Sequence, residues 1–242
     1  MICRSSVLLL AAAALLGASA ASAAEPPAPA APTSTRAWVA QILVPATARV
    51  APRPGARART VVRPTAPLNH VQRTNQYLLV TRTVVKDGVR WVELLLPMRP
   101  NGTRGWLPVD KVALRSTPYR IEIRQSARRL TLFKAGRVVF RAPVAVGKPA
   151  TPTPLGRFFA VAERLQQPDP RGFLGPWVLA LTGYSETLNE YAGGDGRVAI
   201  HGTSLPGLIG TRASHGCIRM FNADVTRLQR AARPGTPVRI LR

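Results

Sequence analysis

The sequence "RRLTLFKAGRVVFRAPVAVG", residues 128–147, alternates apolar and polar residues on both sides of the pair Ala135 and Gly136. Alternation with a period of two is typical of a half-buried strand, and a turn residue such as glycine between two alternating runs favours a tight connection. The stretch therefore predicts a β-hairpin. The preceding "RIEIRQ", residues 120–125, alternates in the same way and also predicts β structure.

Further β structure is expected towards the C-terminus. The segment "TPTPLGRFFAVAE", residues 151–163, passes two prolines before a run of strand type, and "TPVRIL", residues 236–241, closes the chain as a strand. One helix is predicted between them, with Asn222 as its N-cap, Val225 and Leu228 on one face, and a stop at residues 233–235. The glycine- and proline-rich segment 166–196 is predicted to be a loop, with a lid and plain loop packing as its two alternative roles.

The N-terminal half contains three shorter strand-like runs, "YLLVTRTVV", "VRWVELLL" and "RGWLPVDKVAL". They are rich in branched and aromatic residues and are separated by turn signals such as Asp87-Gly88. The order of these segments resembles a bacterial SH3-like domain, which we place at residues 38–115. The resemblance implies that Trp91 and Trp106 line a peptide groove, and packing in the core is the alternative for at least one of them.

The N-terminus has the composition of an export signal. A basic residue precedes the apolar run "VLLLAAAALLG", which is followed by small residues, so residues 1–23 are predicted to be a cleaved signal peptide. Residues 24–37 are rich in proline and alanine and predict an extended tether. The expected location is exported, in the cell wall or periplasm. Of the two cysteines, Cys3 leaves with the signal, so Cys217 is predicted to remain as a single thiol in an oxidising compartment.

The chain is strongly basic. Its formal net charge is +23, and because it has only four lysines, arginine supplies nearly all of this charge. A basic surface attracts polyanions, and for an exported protein the accessible ones are anionic cell-wall polymers. A solvated basic face without a partner is the alternative. Nucleic acid is not expected as a partner, because the export signal disfavours it.

Two histidines occur close to Cys217 in the sequence. His201 lies in "AIHGTS" and His215 in "SHGCIRM", both within 16 residues of the cysteine. A thiol attacks carbonyls as thiolate, so a nearby imidazole that accepts its proton favours acyl transfer. A three-ligand metal site and a buried structural cysteine are the alternatives. The order, with a histidine before the cysteine, argues against a papain-like protease.

These motifs together carry a resemblance. "IHGT" and "SHGCIRM", preceded by "TPTPLGRF" and followed by a short helix and "GTPVRIL", resemble the catalytic domain of the L,D-transpeptidases, exported enzymes that cross-link peptidoglycan. The likeness places this domain at residues 118–242. The expected fold class is mainly β, with a small SH3-like barrel followed by a β-sandwich-like catalytic domain that has one or two short helices.

The resemblance also implies residue roles. It makes Cys217 the nucleophile and His201 the general base and acid, with the ring of His201 oriented by the carbonyl of Gly202. The backbone N–H groups of His215, Gly216 and Cys217 are implied to form the oxyanion pocket, with Ser214 and the His215 ring as supports. Arg219 is expected to hold a substrate carboxylate, and a loop anchor without substrate contact is the alternative. Thr203 and Tyr184 are the other expected substrate contacts. No metal or other cofactor is expected.

The implied reaction acts on peptidoglycan stem peptides. The thiolate attacks the carbonyl of the L-centre of meso-diaminopimelate in a tetrapeptide stem, D-alanine leaves, and the amine of a second stem takes the acyl group in a 3-to-3 cross-link. Water as the acceptor gives a carboxypeptidase instead, and a non-catalytic wall-binding module is the competing class. We expect a monomer.

Overall fold

The computed structural model describes residues 31–67, 73–191 and 193–242. The predicted signal peptide, most of the predicted tether and His70 lie outside the described residues. Within the described residues the chain is mainly β, which confirms the expected class. The one α-helix in the part of the chain that the structure describes has ten residues, and no helix there is long and apolar enough to cross a membrane.

The N-terminal half forms a seven-stranded antiparallel sheet in the order β3-β2-β8-β7-β6-β1-β9, with a separate β4-β5 pair. Its elements are β1 (Ala37–Ile42), β2 (Ala46–Arg49), β3 (Ala58–Val62), β4 (Thr65–Pro67), β5 (Arg73–Asn75), β6 (Tyr77–Lys86), β7 (Val89–Leu95), β8 (Arg104–Pro108), a 3-10 turn (Val109–Lys111) and β9 (Val112–Thr117). The three sequence runs predicted as strands correspond to β6, β7, and β8 with β9. The assignment of residues 38–115 as SH3-like stays a prediction.

Trp91 and Trp106 are both buried in the sheet. Trp91 is 2% exposed and Trp106 is 4% exposed, and the Arg82 guanidinium carbon lies 4.9 Å from the centroid of the Trp106 ring. Rings of this size contribute stability through the apolar area that they bury. The structure therefore favours core packing for both side chains over an exposed peptide groove.

The C-terminal half forms an eight-stranded mixed sheet in the order β12-β11-β10-β19-β14-β15-β16-β18, with a short β13-β17 pair. Its elements are β10 (Tyr119–Arg124), β11 (Arg129–Lys134), β12 (Arg137–Pro143), β13 (Val146–Gly147), β14 (Gly156–Gln166), β15 (Trp177–Tyr184), β16 (Arg197–His201), a 3-10 turn (Pro206–Leu208), β17 (Arg212–Ser214), β18 (Ile218–Arg219), α1 (Asn222–Ala231) and β19 (Pro237–Leu241). The predicted hairpin is β11-β12, and the chain passes from one sheet to the other between Thr117 and Tyr119.

The hairpin turn confirms the turn prediction. Ala135 and Gly136 have φ angles of 47° and 81°, so both central residues lie in the left-handed region. A two-residue turn with positive φ at both positions matches the right-handed twist of its flanking strands. Glycine adopts this conformation at no steric cost, which explains why the sequence signal is strong here.

Two predictions about the C-terminal half are wrong. Segment 166–196 is not a continuous loop, because β15 crosses it and lies within the sheet between β14 and β16. Helix α1 occurs where it was predicted, but Asn222 is its first residue and not its N-cap. Phe221 is the N-cap, and no side chain caps the helix. The Asn222 side chain instead accepts a hydrogen bond from the N–H of Thr203 at 2.8 Å.

The two sheets contact each other at the segment that follows β15. Arg99, from the N-terminal half, donates hydrogen bonds to the carbonyl oxygens of Ser185, Leu188 and Asp195 at 2.6, 3.0 and 3.1 Å. Asn101 adds a pair of hydrogen bonds with the backbone of Tyr184, at 2.8 Å each. The N-terminal half therefore holds the backbone of Tyr184, Ser185, Leu188 and Asp195 in place.

Candidate active site

Parallel strand pairing brings His201 and Cys217 to neighbouring strands. His201 ends β16, Cys217 immediately precedes β18, and the register pairs Ile200 with Ile218 and His201 with Arg219. The backbone N–H of Ala199, on β16, hydrogen-bonds the Cys217 thiol. The pairing of β16 with β18 therefore brings the two motifs together, and the thiol lies against the strand that carries His201.

The His201 ring is held in one tautomer by the backbone. Its Nδ1 lies 2.6 Å from the carbonyl oxygen of Gly202, which is the hydrogen bond expected from the resemblance. Because a carbonyl oxygen only accepts, Nδ1 must carry the proton, and Nε2 keeps a free lone pair. Burial lowers the pKa of His201 from 6.5 to about 4, against the opposing effect of the Gly202 carbonyl and with a smaller contribution from the Arg219 charge. The ring is therefore a neutral base at pH 7.

Gly202 is glycine because the backbone is crowded there. A Cβ at this position would collide with the Asn222 side-chain oxygen and come within 2.9 Å of the Gly175 Cα. Gly175 has φ +65°, and a Cβ on this residue would likewise collide with Gly202 and Asn222. Close packing of these three residues fixes the position of the carbonyl that orients His201.

Burial also favours the neutral form of the cysteine. It raises the pKa of Cys217, while the Ala199 N–H and the Arg219 guanidinium lower it to a smaller extent. Desolvation disfavours the charged form of both an acid and a base, so it raises the pKa of Cys217 and lowers the pKa of His201. The resting pair is therefore thiol and neutral imidazole, and a thiolate forms only when a proton moves.

The turn before Cys217 is held together by Ser214. This residue is fully buried, and its hydroxyl donates to the Cys217 carbonyl oxygen at 2.6 Å and accepts from the Gly216 N–H at 3.2 Å. Gly216 has φ +116°, a conformation that favours glycine. Because the Gly216 N–H is already bonded, it is not free to serve as an oxyanion donor, and the expectation for that N–H is corrected. Within the described residues, the N–H groups of His215 and Cys217 have no acceptor.

Two side chains hold the His215 ring from opposite sides. Lys148 Nζ lies 3.1 Å from Nε2, and the Tyr191 hydroxyl lies 3.1 Å from Nδ1. The Tyr191 ring also stacks on His215, with centroids 4.8 Å apart and an interplanar angle of 26°. Partial burial lowers the pKa of His215, and the charges of Lys148 and Arg219 lower it further.

Arg219 is a buried cation beside both candidate groups. It is 5% exposed, and its Nε has no hydrogen-bond partner among the described residues. Its guanidinium carbon lies 4.9 Å from the centroid of Phe173, and that ring lies 6.2 Å from the His201 ring. The half-exposed Phe173 thus covers Arg219 and His201 on one side of the site.

Two predicted substrate contacts have different environments. Tyr184 lies at the opposite end of β15 from Val178, the partner of His201, which is about 20 Å along the strand. Its hydroxyl donates to the Pro97 carbonyl oxygen at 2.8 Å, so the structure corrects the assignment and places Tyr184 at the contact between the sheets. The Thr203 hydroxyl accepts from the Leu205 N–H at 3.0 Å, and its role towards substrate stays a prediction.

The described residues do not form a cluster of side chains suited to binding a metal ion. Within residues 31–67, 73–191 and 193–242, no three side chains from His, Cys, Asp and Glu converge as a metal-binding group. Cys217 is a free cysteine that is partly exposed.

Comparison with known proteins identifies the C-terminal half. The family model described as the YkuD L,D-transpeptidase catalytic domain matches residues 118–240, just over half of the chain. This chain belongs to the YkuD family. The YkuD protein of Bacillus licheniformis is 40% identical over 123 residues, and that of Bacillus subtilis is 38% identical over 125 residues. The matches cover 51% and 52% of this chain, and 66% and 67% of the two relatives.

A solved relative of this YkuD-family chain is the catalytic domain of the Enterococcus faecium L,D-transpeptidase. It is 25% identical, with a TM-score of 0.37, and the match covers 50% of this chain and 95% of that one. The N-terminal half of this chain lies outside the residues that the YkuD model matches.

Several side chains around the YkuD-family motifs were not predicted from the sequence. Lys148 is 67 residues from His215 along the chain, and Phe173 and Gly175 lie in a segment without a recognisable motif. The "GKP" turn before the threonine-proline run was the one available signal for Lys148, because glycine often marks close backbone approach. A Cβ on Gly147 would indeed collide with the backbone of residues 151–153.

Proposed function

We propose that this chain is an exported peptidoglycan L,D-transpeptidase in which Cys217 forms an acyl-enzyme with a tetrapeptide donor stem. The observation that carries the proposal is the Nδ1 hydrogen bond from His201 to the Gly202 carbonyl. It leaves Nε2 as a neutral base on β16, the strand that pairs with β18 directly after Cys217. No carboxylate is needed to orient this imidazole, because the backbone carbonyl does so.

The first half-reaction acylates the sulfur. Nε2 of His201 takes the thiol proton as Cys217 attacks the L-centre carbonyl of meso-diaminopimelate, and a C–S bond forms. Because burial favours the neutral pair, the thiolate requires transfer of this proton to His201. The tetrahedral intermediate then breaks its C–N bond, and the imidazolium gives its proton to the departing nitrogen of D-alanine.

The second half-reaction regenerates the thiol. The acceptor amine attacks the thioester, His201 takes a proton from that amine, and the C–S bond breaks as the proton passes to sulfur. An amine from a second stem gives the 3-to-3 cross-link. Water in the same position gives a shortened stem and a carboxypeptidase activity.

The developing oxyanion is assigned to the N–H groups of His215 and Cys217. Both are free of acceptors within the described residues, whereas the Gly216 N–H is bonded to Ser214. Removal of one such donor typically costs about 3 to 4 kcal/mol of transition-state stabilisation. Ser214 and Gly216 shape the turn that aims these donors.

Arg219 is assigned to a carboxylate of the donor stem. A buried guanidinium is costly unless an anion compensates its charge, and no carboxylate pairs with it in the described residues. Phe173 covers its face and leaves its donors for an incoming anion. The adjacent terminal carboxylate of the tetrapeptide suits this position, because it flanks the bond that is cleaved.

Mass spectrometry after incubation with a carbapenem tests the acyl-enzyme. We expect one covalent adduct on Cys217, none in Cys217→Ala, and acylation slowed by about 10²- to 10⁴-fold in His201→Ala, since that range is typical for a positioned general base. Lys86→Met, on the N-terminal sheet, is the matched surface control. An unmodified thiol in folded wild-type protein would refute the proposal and favour a wall-binding module.

Product analysis with the tetrapeptide identifies the acceptor. Cross-linked dimers with release of D-alanine support the transpeptidase, whereas tripeptide alone indicates water as the acceptor. Secretion of the full chain with loss of residues 1–23 tests the proposed export to the cell wall or periplasm. Anionic wall polymers remain proposed partners on the basis of the +23 charge.

A further inference from the structure

Lys148 has an unusual neighbour. Its ammonium group lies 3.1 Å from Nε2 of His215, and no carboxylate pairs with it among the described residues. The lysine backbone is fixed, since its N–H donates to the Ser214 carbonyl at 2.9 Å and its own carbonyl accepts from Thr151 at 3.0 Å. The ammonium is thus held beside the cysteine turn.

The ammonium decides the protonation of the neighbouring ring. An ammonium group only donates hydrogen bonds, so Nε2 of His215 must accept, and the ring proton must lie on Nδ1. The nearby positive charges and partial burial keep the pKa of this histidine low, which agrees with a neutral ring. Nδ1 then donates to the Tyr191 oxygen, 3.1 Å away.

The cluster of Lys148, His215 and Tyr191 therefore retains several hydrogen-bond donors that have no partner within the cluster. Tyr191 accepts from His215 and keeps its own O–H proton to donate, and Lys148 keeps two of its three N–H groups. Tyr191 is 39% exposed, so its hydroxyl is reachable from outside. Arg219 adds a further positive charge that acts on His215. A group that accepts several hydrogen bonds and carries negative charge is the matching ligand.

We propose that Lys148 and Tyr191, with His215 between them, bind a free carboxylate of the donor stem peptide at a subsite separate from Arg219. Lys148 supplies the charge and Tyr191 the hydroxyl donor. His215 is a positioning residue that orients both. This inference rests on the proposed function for the identity of the ligand, but the binding itself requires no chemistry at Cys217.

Binding is measured by calorimetry in a Cys217→Ala background, so that turnover plays no part. The ligand is the tetrapeptide L-Ala-γ-D-Glu-meso-diaminopimelate-D-Ala, together with versions in which one carboxylate at a time is converted to the amide. Charge-assisted hydrogen bonds of this kind correspond to a loss of about 10- to 100-fold in affinity. We expect Lys148→Met to weaken tetrapeptide binding by that factor and Tyr191→Phe by about 3- to 10-fold.

Two matched controls accompany these variants. Lys86→Met removes the same charge from the N-terminal sheet and should leave the dissociation constant unchanged. Lys148→Arg keeps the charge and should retain most of the affinity, which separates charge recognition from misfolding. One amidated peptide should bind weakly to the background protein and lose nothing further in Lys148→Met, and that peptide identifies the carboxylate.

Three results would overturn the subsite: equal affinity in Lys148→Met, the same loss for every amidated peptide, or no tetrapeptide binding to the Cys217→Ala protein. Failure of the proposed function has a different signature. In that case wild-type protein binds the tetrapeptide in a Lys148-dependent manner, yet forms no carbapenem adduct and releases no D-alanine.

Discussion

The buried His201 ring predicts a specific dependence of folding stability on pH. Its pKa falls from 6.5 in the unfolded chain to about 4 in the folded one. Between pH 6.5 and pH 4, the His201 imidazole binds a proton in the unfolded chain but not in the folded chain, so acid stabilises the unfolded state. The contribution of His201 is complete above pH 6.5 and is lost as the pH falls towards 4.

The magnitude follows from the size of the shift. With a pKa of 6.5 in the unfolded chain and about 4 in the folded one, about 3 kcal/mol of unfolding free energy is lost between pH 7.5 and pH 4. In His201→Gln this part of the pH dependence should disappear. Contributions that the two proteins share cancel in the comparison.

Urea unfolding followed by tryptophan fluorescence at pH 7.5, 5.5 and 4.0 measures this difference. His215→Gln is the matched control, because this ring is more exposed and should leave most of the wild-type pH dependence intact. If wild type and His201→Gln lose the same unfolding free energy between pH 7.5 and pH 4, the assignment of His201 as a neutral buried base is wrong.

Three further substitutions test the supports of the site. Glu163→Gln should cost about 3 kcal/mol of unfolding free energy, since it leaves the Arg197 guanidinium, now 3.0 Å from that carboxylate, without its buried partner. Ser214→Ala should cost about 2 kcal/mol, because it removes two hydrogen bonds from the cysteine turn, and the urea midpoint measures it. Arg99→Met should speed amide hydrogen exchange across residues 185–196, because three carbonyls lose their donor.

Exposed substitutions of the same chemistry serve as controls for the Glu163 and Arg99 variants. Asp110→Asn breaks a surface ion pair with Lys111 and should change the unfolding free energy by less than about 1 kcal/mol. Arg137→Met lies on the exposed edge strand β12 and should not alter exchange in residues 185–196. Comparable effects in the controls would show that the assigned contacts are not responsible.

Local sequence patterns were sufficient for most elements of secondary structure. Alternation located the β11-β12 hairpin, the pair Ala135-Gly136 located its turn, and the spacing of Val225 and Leu228 located α1. These features depend on side-chain periodicity and on backbone conformations that few residues adopt. The hydrogen bond between His201 and the Gly202 carbonyl was expected from the resemblance to the L,D-transpeptidases and not from a local pattern.

Predictions from local patterns were wrong where a side chain bonds to a residue far away in the sequence. Asn222 has the chemistry of an N-cap, yet its oxygen accepts from Thr203, which lies 19 residues earlier. Glycines and prolines in segment 166–196 concealed β15, whose buried residues make it a strand inside the sheet. Tyr184 was placed near substrate because of its position in that segment, and the strand direction carries it to the other end of the sheet.

The amino-acid order was enough to specify the β-rich architecture, the helix and the two histidine motifs around Cys217, because these depend on interactions between near neighbours. Tertiary folding alone decided that β16 and β18 run parallel in one register, that Lys148 meets His215, and that burial keeps His201 and Cys217 neutral. Register, long-range contacts and desolvation arise only when segments far apart in the chain exclude water together, so no local pattern encodes them.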